Sequence, residues 1–254
     1  MFIFSILNLF FPILTIFFTD LFIWFFGDNN KKRRWYLIHA LTNTFLVFYT
    51  FNNLIECYYD PLSLINKNYN NDDIVAINTV LSLHLFHIFS SYKNLTFIDW
   101  VHHIVSCIIV CTIAIFFLST KMINYAIFFM CGLPGGIDYF LLYFNKLNLI
   151  DKLTEKRINV YLNMCIRLPG LLWGLIISYI CVIYKELNDD ISSFKICALF
   201  ITNILNCINA IFFSIRVVQN YGIHLESITK KKVIKRIRKS LSLSDLKRLD
   251  KKIK

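Results

Sequence analysis

Charge is scarce in this sequence, and so are the residues that make turns. Only 17% of the 254 residues are Asp, Glu, Lys or Arg, whereas 57% are hydrophobic and the mean hydropathy is +0.56. Glycine occurs 7 times and proline 4 times. A soluble domain carries about 25% charged residues, so this composition excludes an ordinary soluble domain. It predicts a multi-pass membrane protein.

The cysteine patterns that indicate a disulfide framework or a zinc site are also missing. The 8 cysteines fall mostly inside apolar runs, with no Cys-x-x-Cys pair and no histidine at the spacing of a metal finger. A buried thiol in such a run acts as a small hydrophobic side chain. We therefore expect the cysteines to pack in the core.

The sequence does contain a series of long apolar runs, most of them long enough to cross the bilayer as helices. The first run has neither a basic leading segment nor a small-residue cleavage site, so it is predicted to be a retained helix and not a signal peptide. The sequence predicts an all-α, polytopic transmembrane helical bundle of about seven spans, at residues 1–26, 35–58, 74–90, 99–118, 122–144, 158–184 and 194–218.

Two clusters of glycine and proline lie inside predicted spans. Residues 132–136 (Gly-Leu-Pro-Gly-Gly) fall in the fifth span and Pro169-Gly170 in the sixth. Such clusters at membrane depth are typical of broken or kinked helices. We therefore expect the fifth span to be interrupted and the sixth to be kinked.

Basic residues occur at alternate connections between the spans. They follow spans one, three and five at residues 31–34, 93 and 146–157, and they are dense after span seven. The positive-inside rule places these connections in the cytosol. The sequence thus predicts an outside N-terminus and a cytosolic C-terminus, with three regions: a first helix and short loop (1–30), a bundle (31–220) and a basic tail (221–254).

The basic tail carries most of the net charge of +11. A basic segment directly after a last span is expected to set topology and to touch anionic headgroups. Aromatic residues do not alternate with its charges as they do in single-strand binders, so nucleic acid is not expected as a partner. Residues 251–254 (Lys-Lys-Ile-Lys) resemble a dilysine retrieval sequence, which predicts the endoplasmic reticulum membrane.

Ionisable side chains inside apolar spans are expensive to bury and therefore indicate a functional site. Asp99 precedes His102 and His103 by three and four residues, a spacing at which its carboxylate can hold one imidazole in a chosen tautomer. His84 and His87 are three residues apart and share one face of span three. The predicted topology brings both groups to the cytosolic half of the bilayer.

Polar residues on the next two spans converge on the same depth. Asp138 follows the glycine-proline cluster, and Asn159, Asn163 and Arg167 form a stripe at four-residue spacing. Candidate catalytic residues are His102, His103, Asp138 and Asp99, and candidate substrate-binding residues are His84, His87, Asn163 and Arg167.

These residues also have structural interpretations. His84 or His87 alone can form a hydrogen bond between helices, as polar residues often do in membrane bundles. Asp138 and Arg167 can form a buried ion pair. A structural role is the favoured interpretation for three asparagines of span seven, Asn203, Asn206 and Asn209.

Metal chemistry is not favoured. Membrane di-iron enzymes need more histidines, grouped in several clusters, than the 6 present here, and His39 and His224 lie far along the chain from the others. A single metal ion could bind His84, His87, His102 and His103, but Asp99 is the only residue in reach by sequence that could orient these ligands. We predict neither a metal nor a resident cofactor.

The pattern of an intramembrane His-His pair, an acidic residue in the next span and then Asn and Arg resembles the TLC domain family, which includes the ceramide synthases. The similar region covers about residues 36–220. The resemblance implies transfer of an acyl group from acyl-CoA, as co-substrate, to the amine of a sphingoid base. It assigns His102 and His103 as general base and Asp138 as the acidic residue after the pair. The longer synthase signature has further acidic residues, and here only Asp138 is present.

Two other functions stay open. Fatty-acid elongases use a His-x-x-His-His box, but Asp99 stands where its first histidine would be. A non-enzymatic lipid-sensing, transport or trafficking protein could use the same bundle, with its histidines as structural or headgroup contacts. Membrane lipids are the expected partners in each case, and a homodimer stays open.

Overall fold

A computed structural model describes residues 2–62, 74–118, 120–187 and 192–240 of the chain. These residues form seven long helices and no β-strand. The predicted all-α bundle is therefore confirmed. The predicted dilysine sequence at 251–254 and most of the predicted loop at 60–73 lie outside the described residues.

The first three helices are regular, and the next three each contain a π-helical section, in which an N–H donates to the carbonyl five residues earlier. The helices are α1 (Phe2–Phe25), α2 (Lys31–Tyr59), α3 (Ile74–Ser91), α4 (Phe97–His103, then π-helical Ile104–Cys111 and Ala114–Leu118), α5 (Met122–Ile127, π-helical Phe128–Gly132, Leu133–Lys146), α6 (Lys152–Tyr161, π-helical Leu162–Arg167, Leu168–Leu187) and α7 (Ser193–Ser240).

Six of these helices are long and apolar enough to cross a membrane, and α2 is the exception. The polar residues of α2 explain the difference. His39, Asn43, Thr50 and Asn53 are buried and recur at spacings of four, seven and three residues, which places them along one side of the helix. That side faces protein, and Asn53 Oδ1 accepts a hydrogen bond of 3.1 Å from Asn124 Nδ2 of α5. The fold is that of a multi-pass membrane protein in which α2 has a polar side toward the protein and an exposed apolar side, with Phe45 and Phe48 on it.

The glycine-proline cluster does not interrupt α5 as the sequence predicted. The chain stays helical through residues 132–136, and the distortion is the π-helical section that ends at Gly132. A Cβ added to Gly135 would lie 2.7 Å from Asn43 Nδ2, and one on Gly136 would lie 3.6 Å from Thr44 N. Gly135 therefore lies at a close contact with the side chain of Asn43 on α2, whereas a Cβ on Gly136 would make only ordinary van der Waals contacts.

Gly170 of α6 lies at a close contact with α5. A Cβ on Gly170 would lie 2.1 Å from Cδ1 of Phe129, which is closer than real Cβ contacts allow. The carbonyl oxygen of Gly170 accepts a hydrogen bond of 2.8 Å from the hydroxyl of Tyr125, a fully buried residue of α5. Pro169-Gly170 thus lies within a continuous helix, at a point where α6 packs closely against α5.

Helix α7 is much longer than the span predicted at 194–218. Its 48 residues correspond to about 72 Å at 1.5 Å per residue, well beyond the ~30 Å of the hydrocarbon core. The helix passes the expected boundary at residue 220 without a break, so the first part of the basic tail continues the last span.

The close contact at Gly170 predicts the effect of adding one methyl group. Gly170→Ala should lower the free energy of unfolding by about 1 to 3 kcal/mol, because Phe129 has to move in a packed core. Gly222→Ala is the matched control, since a Cβ there meets no atom within 4 Å. Thermal unfolding in detergent measures both variants. Equal stability of the two would contradict the packing described here.

Candidate functional site

A cavity of about 340 Å³ lies inside the bundle. Helices α2 to α7 all contribute to its lining, whereas α1 does not. The lining is apolar at one end, with residues such as Ile77, Ala114 and Ile123, and polar at the other. Its charged residues are Asp99, Asp138 and Arg167.

Five histidines line the polar end of this cavity: His39, His84, His87, His102 and His103. Neighbouring ring centroids are 6.0 Å apart for His39 and His87, 5.0 Å for His87 and His103, 5.2 Å for His84 and His103, and 5.4 Å for His84 and His102. The expectation that His39 lies far from the others is wrong, because α2 packs beside α3 although the two are distant in sequence.

His103 is held by a histidine of another helix. Its Nδ1 lies 3.1 Å from Nδ1 of His84, so one ring donates and the other accepts. His103 is only 3% exposed, and its Nε2 is buried without a hydrogen-bond partner. The bond to His84 therefore holds the His103 ring, and one of the two Nδ1 atoms carries the shared proton.

The tryptophan at the start of α2 holds two more of the rings. Trp35 stacks on His87 at a centroid distance of 3.7 Å and an angle of 29°. The backbone oxygen of Trp35 lies 3.0 Å from Nδ1 of His39. Because a carbonyl only accepts, Nδ1 of His39 carries the proton and its Nε2 is an acceptor.

Asp99 makes its hydrogen bonds to the helix start and not to an imidazole. Its carboxylate accepts from Thr96 N at 2.9 Å and from Thr96 Oγ1 at 2.7 Å, while Thr96 Oγ1 accepts from Asp99 N. This is a capping box, which satisfies the first N–H groups of α4. In the hydrogen bonds described here Asp99 is a helix cap at the edge of the cavity, and its orienting role stays a prediction.

Arg167 lies at the end of the predicted polar stripe on α6. Asn159 and its backbone carbonyl accept from Asn163 Nδ2 at 2.6 and 2.8 Å, and Asn163 Oδ1 accepts from Arg167 Nη1. The Nε of Arg167 donates to the Met130 carbonyl at 3.1 Å. Met130 lies in the π-helical section of α5, where the normal α-helical bonding is interrupted.

Asp138 and Arg167 both line the cavity but do not form a close ion pair. Within the described residues, no salt bridge of 4.0 Å or less joins them, and Asp138 Oδ1 is buried without a hydrogen-bond partner. A buried polar atom left without a partner costs about 1–3 kcal/mol. Three such atoms belong to residues that line this cavity, Asn43 Oδ1, His103 Nε2 and Asp138 Oδ1, which makes the cavity a candidate ligand site.

The structure brings seven of the eight predicted site residues to the cavity lining, and Asn163 supports Arg167 from behind it. Sequence reasoning missed His39, Tyr139 and Asn209, which also line the cavity. Asn209 Nδ2 donates to Met130 Sδ at 3.8 Å, and Asn203 has the expected structural role, donating to Ser178 Oγ at 2.5 Å. The spacing of His39 and Asn43 on α2 was the available signal for His39.

No group of three His, Cys, Asp or Glu side chains in the described part of the chain is arranged to hold a metal ion. His224 lies on the exposed end of α7, outside the cavity lining. The histidines therefore form a cluster of imidazoles connected by hydrogen bonds and ring contacts.

Fold and site together define a class: a multi-pass helical membrane protein with a histidine-lined cavity inside its bundle. Neither the family models nor the curated proteins nor the solved structures contain a match to this chain.

Because Thr96 and Asp99 form the capping box together, comparing their variants shows whether Asp99 acts only as a helix cap or also in catalysis. Thr96→Ala and Asp99→Ala should destabilise the start of α4 by similar amounts, about 1 kcal/mol each. Their effects on any activity of the cavity should also be similar and small. Thermal unfolding and a lipid-product assay measure the two effects. A loss of activity in Asp99→Ala that far exceeds the loss in Thr96→Ala would support the orienting role.

Proposed function

We propose that this protein is an enzyme of the TLC domain type in the endoplasmic reticulum membrane, transferring an acyl group from acyl-CoA to the amine of a single-chain, sphingoid-type lipid. The observation that carries this proposal is the state of His103. Its Nε2 is buried and free beside the cavity while its Nδ1 is held by His84 at 3.1 Å. A general base needs this combination of a fixed ring and an available nitrogen.

In the productive tautomer, Nδ1 of His103 carries the proton and donates to His84. Its Nε2 then takes a proton from the attacking amine. The amine nitrogen bonds to the thioester carbonyl carbon and the carbon–sulfur bond breaks. The proton passes from His103 to the departing thiolate, which leaves as free CoA. His84 acts as a positioning residue in this scheme.

The charge of the cavity supports an amine as the acceptor. Two carboxylates, Asp99 and Asp138, and one guanidinium, Arg167, line the polar end. Because the Asp99 carboxylate accepts from Thr96 in the capping box, Asp138 is the carboxylate that can pair with a cationic or hydrogen-donating headgroup. Asp138 Oδ1 is available to accept from that group. Arg167 can stabilise the negative charge that develops on the carbonyl oxygen.

The size of the cavity supports a single-chain substrate. Ligand pockets range from about 300 to 1,000 Å³, and the 340 Å³ found here is at the lower end. Apolar lining residues such as Val80, Leu83 and Ala114 can contact an alkyl chain while the head lies among the histidines.

The proposal predicts that acyl transfer depends on His103. His103→Ala should lower the rate by about 10²-fold or more, the usual contribution of a general base. His224→Ala is the control, because that residue lies outside the cavity. Transfer of a labelled acyl group from acyl-CoA to sphingoid-type amines in membranes gives the measurement, with lipid profiling to identify the product.

Full activity of a folded His103→Ala variant would contradict the general-base role. Specific binding of the amine lipid by the wild-type protein without any turnover would instead support the non-enzymatic lipid-binding alternative. Formation of a new carbon–carbon bond from acyl-CoA would support the elongase-like alternative.

A further inference from the structure

The last part of α7 extends away from the cavity and carries exposed side chains of two kinds. Val217 is the last residue of α7 in the cavity lining, and Ser240 lies about 35 Å further along the helix at 1.5 Å per residue. In this extension, Val233 is 48% exposed, Ile234 49% and Ile237 44%. The bundle itself therefore does not bury these apolar residues.

The exposed residues separate into two faces. Successive residues of a helix are rotated by about 100°, so Val233, Ile234 and Ile237 share one side. Lys231, Lys232 and Lys235 are exposed and lie on the opposite side. A helix with one apolar face and one lysine-rich face is typical of segments that lie in the plane of a membrane surface. We call residues 231–237 the interfacial segment, because the two faces are separated only from residue 231 onward.

The charge of the interfacial segment identifies the kind of surface that it fits. Glu226 is the only acidic residue between 219 and 240, and its carboxylate pairs with Lys230 at 2.7 Å. The basic residues of the segment therefore have no carboxylate on their own helix to neutralise them. An anionic leaflet supplies negative charge, and the membrane spans already hold the segment close to it.

A straight α7 would hold this segment away from the membrane. Electrostatic attraction falls off within about 8 Å at physiological ionic strength, which is shorter than the extension. Gly222 lies at the start of the extension, and a Cβ there would meet no atom within 4 Å. Glycine is also the least favourable residue in a helix interior after proline. Gly222 is therefore the natural position for a bend.

We propose that α7 bends at Gly222 and that the interfacial segment lies on the anionic cytosolic leaflet, with Val233, Ile234 and Ile237 at the headgroup–acyl boundary and its lysines among the phosphates. The proposal depends on the predicted cytosolic side of the tail and not on acyl transfer. Loss of one lysine should weaken the surface-bound state about fivefold.

A depth measurement on the full-length protein tests this directly. Spin labels are placed at Val233→Cys or Lys235→Cys in a chain with Cys165→Ser and Cys197→Ser, since these two cysteines are exposed. Accessibility to oxygen and to a water-soluble nickel chelate is then compared in vesicles of neutral lipid with and without phosphatidylserine. Protease digestion of the same vesicles identifies the side of the tail, and tail-out molecules are analysed separately.

The proposal predicts that label 233 becomes accessible to oxygen and protected from nickel only in anionic vesicles, while label 235 stays in water. High salt, or replacement of Lys231, Lys232 and Lys235 by Gln, should release label 233. Gly222→Ala should weaken the response because it stiffens the helix. Equal water exposure of both labels in anionic vesicles would overturn the proposal. Protection that requires an added soluble protein, or spin–spin broadening between two copies, would also overturn it.

Discussion

The hydrogen bond between His84 and His103 is the interaction on which the site depends. It joins α3 to α4 and fixes which nitrogen of each ring is free, at a distance of 3.1 Å. In a low-dielectric interior such a bond is stronger than in water, and a polar atom left without one is more costly. The bond therefore holds the His103 ring and leaves its Nε2 as a buried nitrogen without a partner, which the ligand satisfies in the proposed mechanism.

Local sequence patterns predicted an all-helical chain with several apolar helices and picked out four of the histidines that line the cavity, because hydropathy and three- or four-residue spacing act within one helix. They did not predict the length of α7 or the polar side of α2. They failed for His39, which reaches the cluster through the packing of α2 beside α3, a contact between distant parts of the chain. The capping role of Asp99 was readable from Thr96 three residues earlier. The sequence alone shows both possible partners of Asp99, Thr96 and the histidines, and the coordinates show that its hydrogen bonds go to Thr96.

Four π-helical sections connect the fold to the site. Two lie on α4 and one each on α5 and α6, and each contains a residue that lines the cavity: Cys111, Ala114, Met130 and Arg167. The wider turns of a π-helical section change the direction of the side chains that follow. In the section of α5, the Met130 carbonyl accepts a hydrogen bond from Nε of Arg167. Hydropathy cannot reveal this feature, because a π-helical section is as apolar as the α-helix around it.

Photo-cross-linking locates the ligand most directly. A single-chain amine with a diazirine near its head is activated in membranes that contain the protein, and the modified peptides are identified by mass spectrometry. The account predicts modification of cavity-lining residues such as His103, Met130 and Asp138, and competition by the unlabelled amine. Modification restricted to exposed, lipid-facing residues such as Phe18 and Phe22 would contradict a binding site inside the bundle.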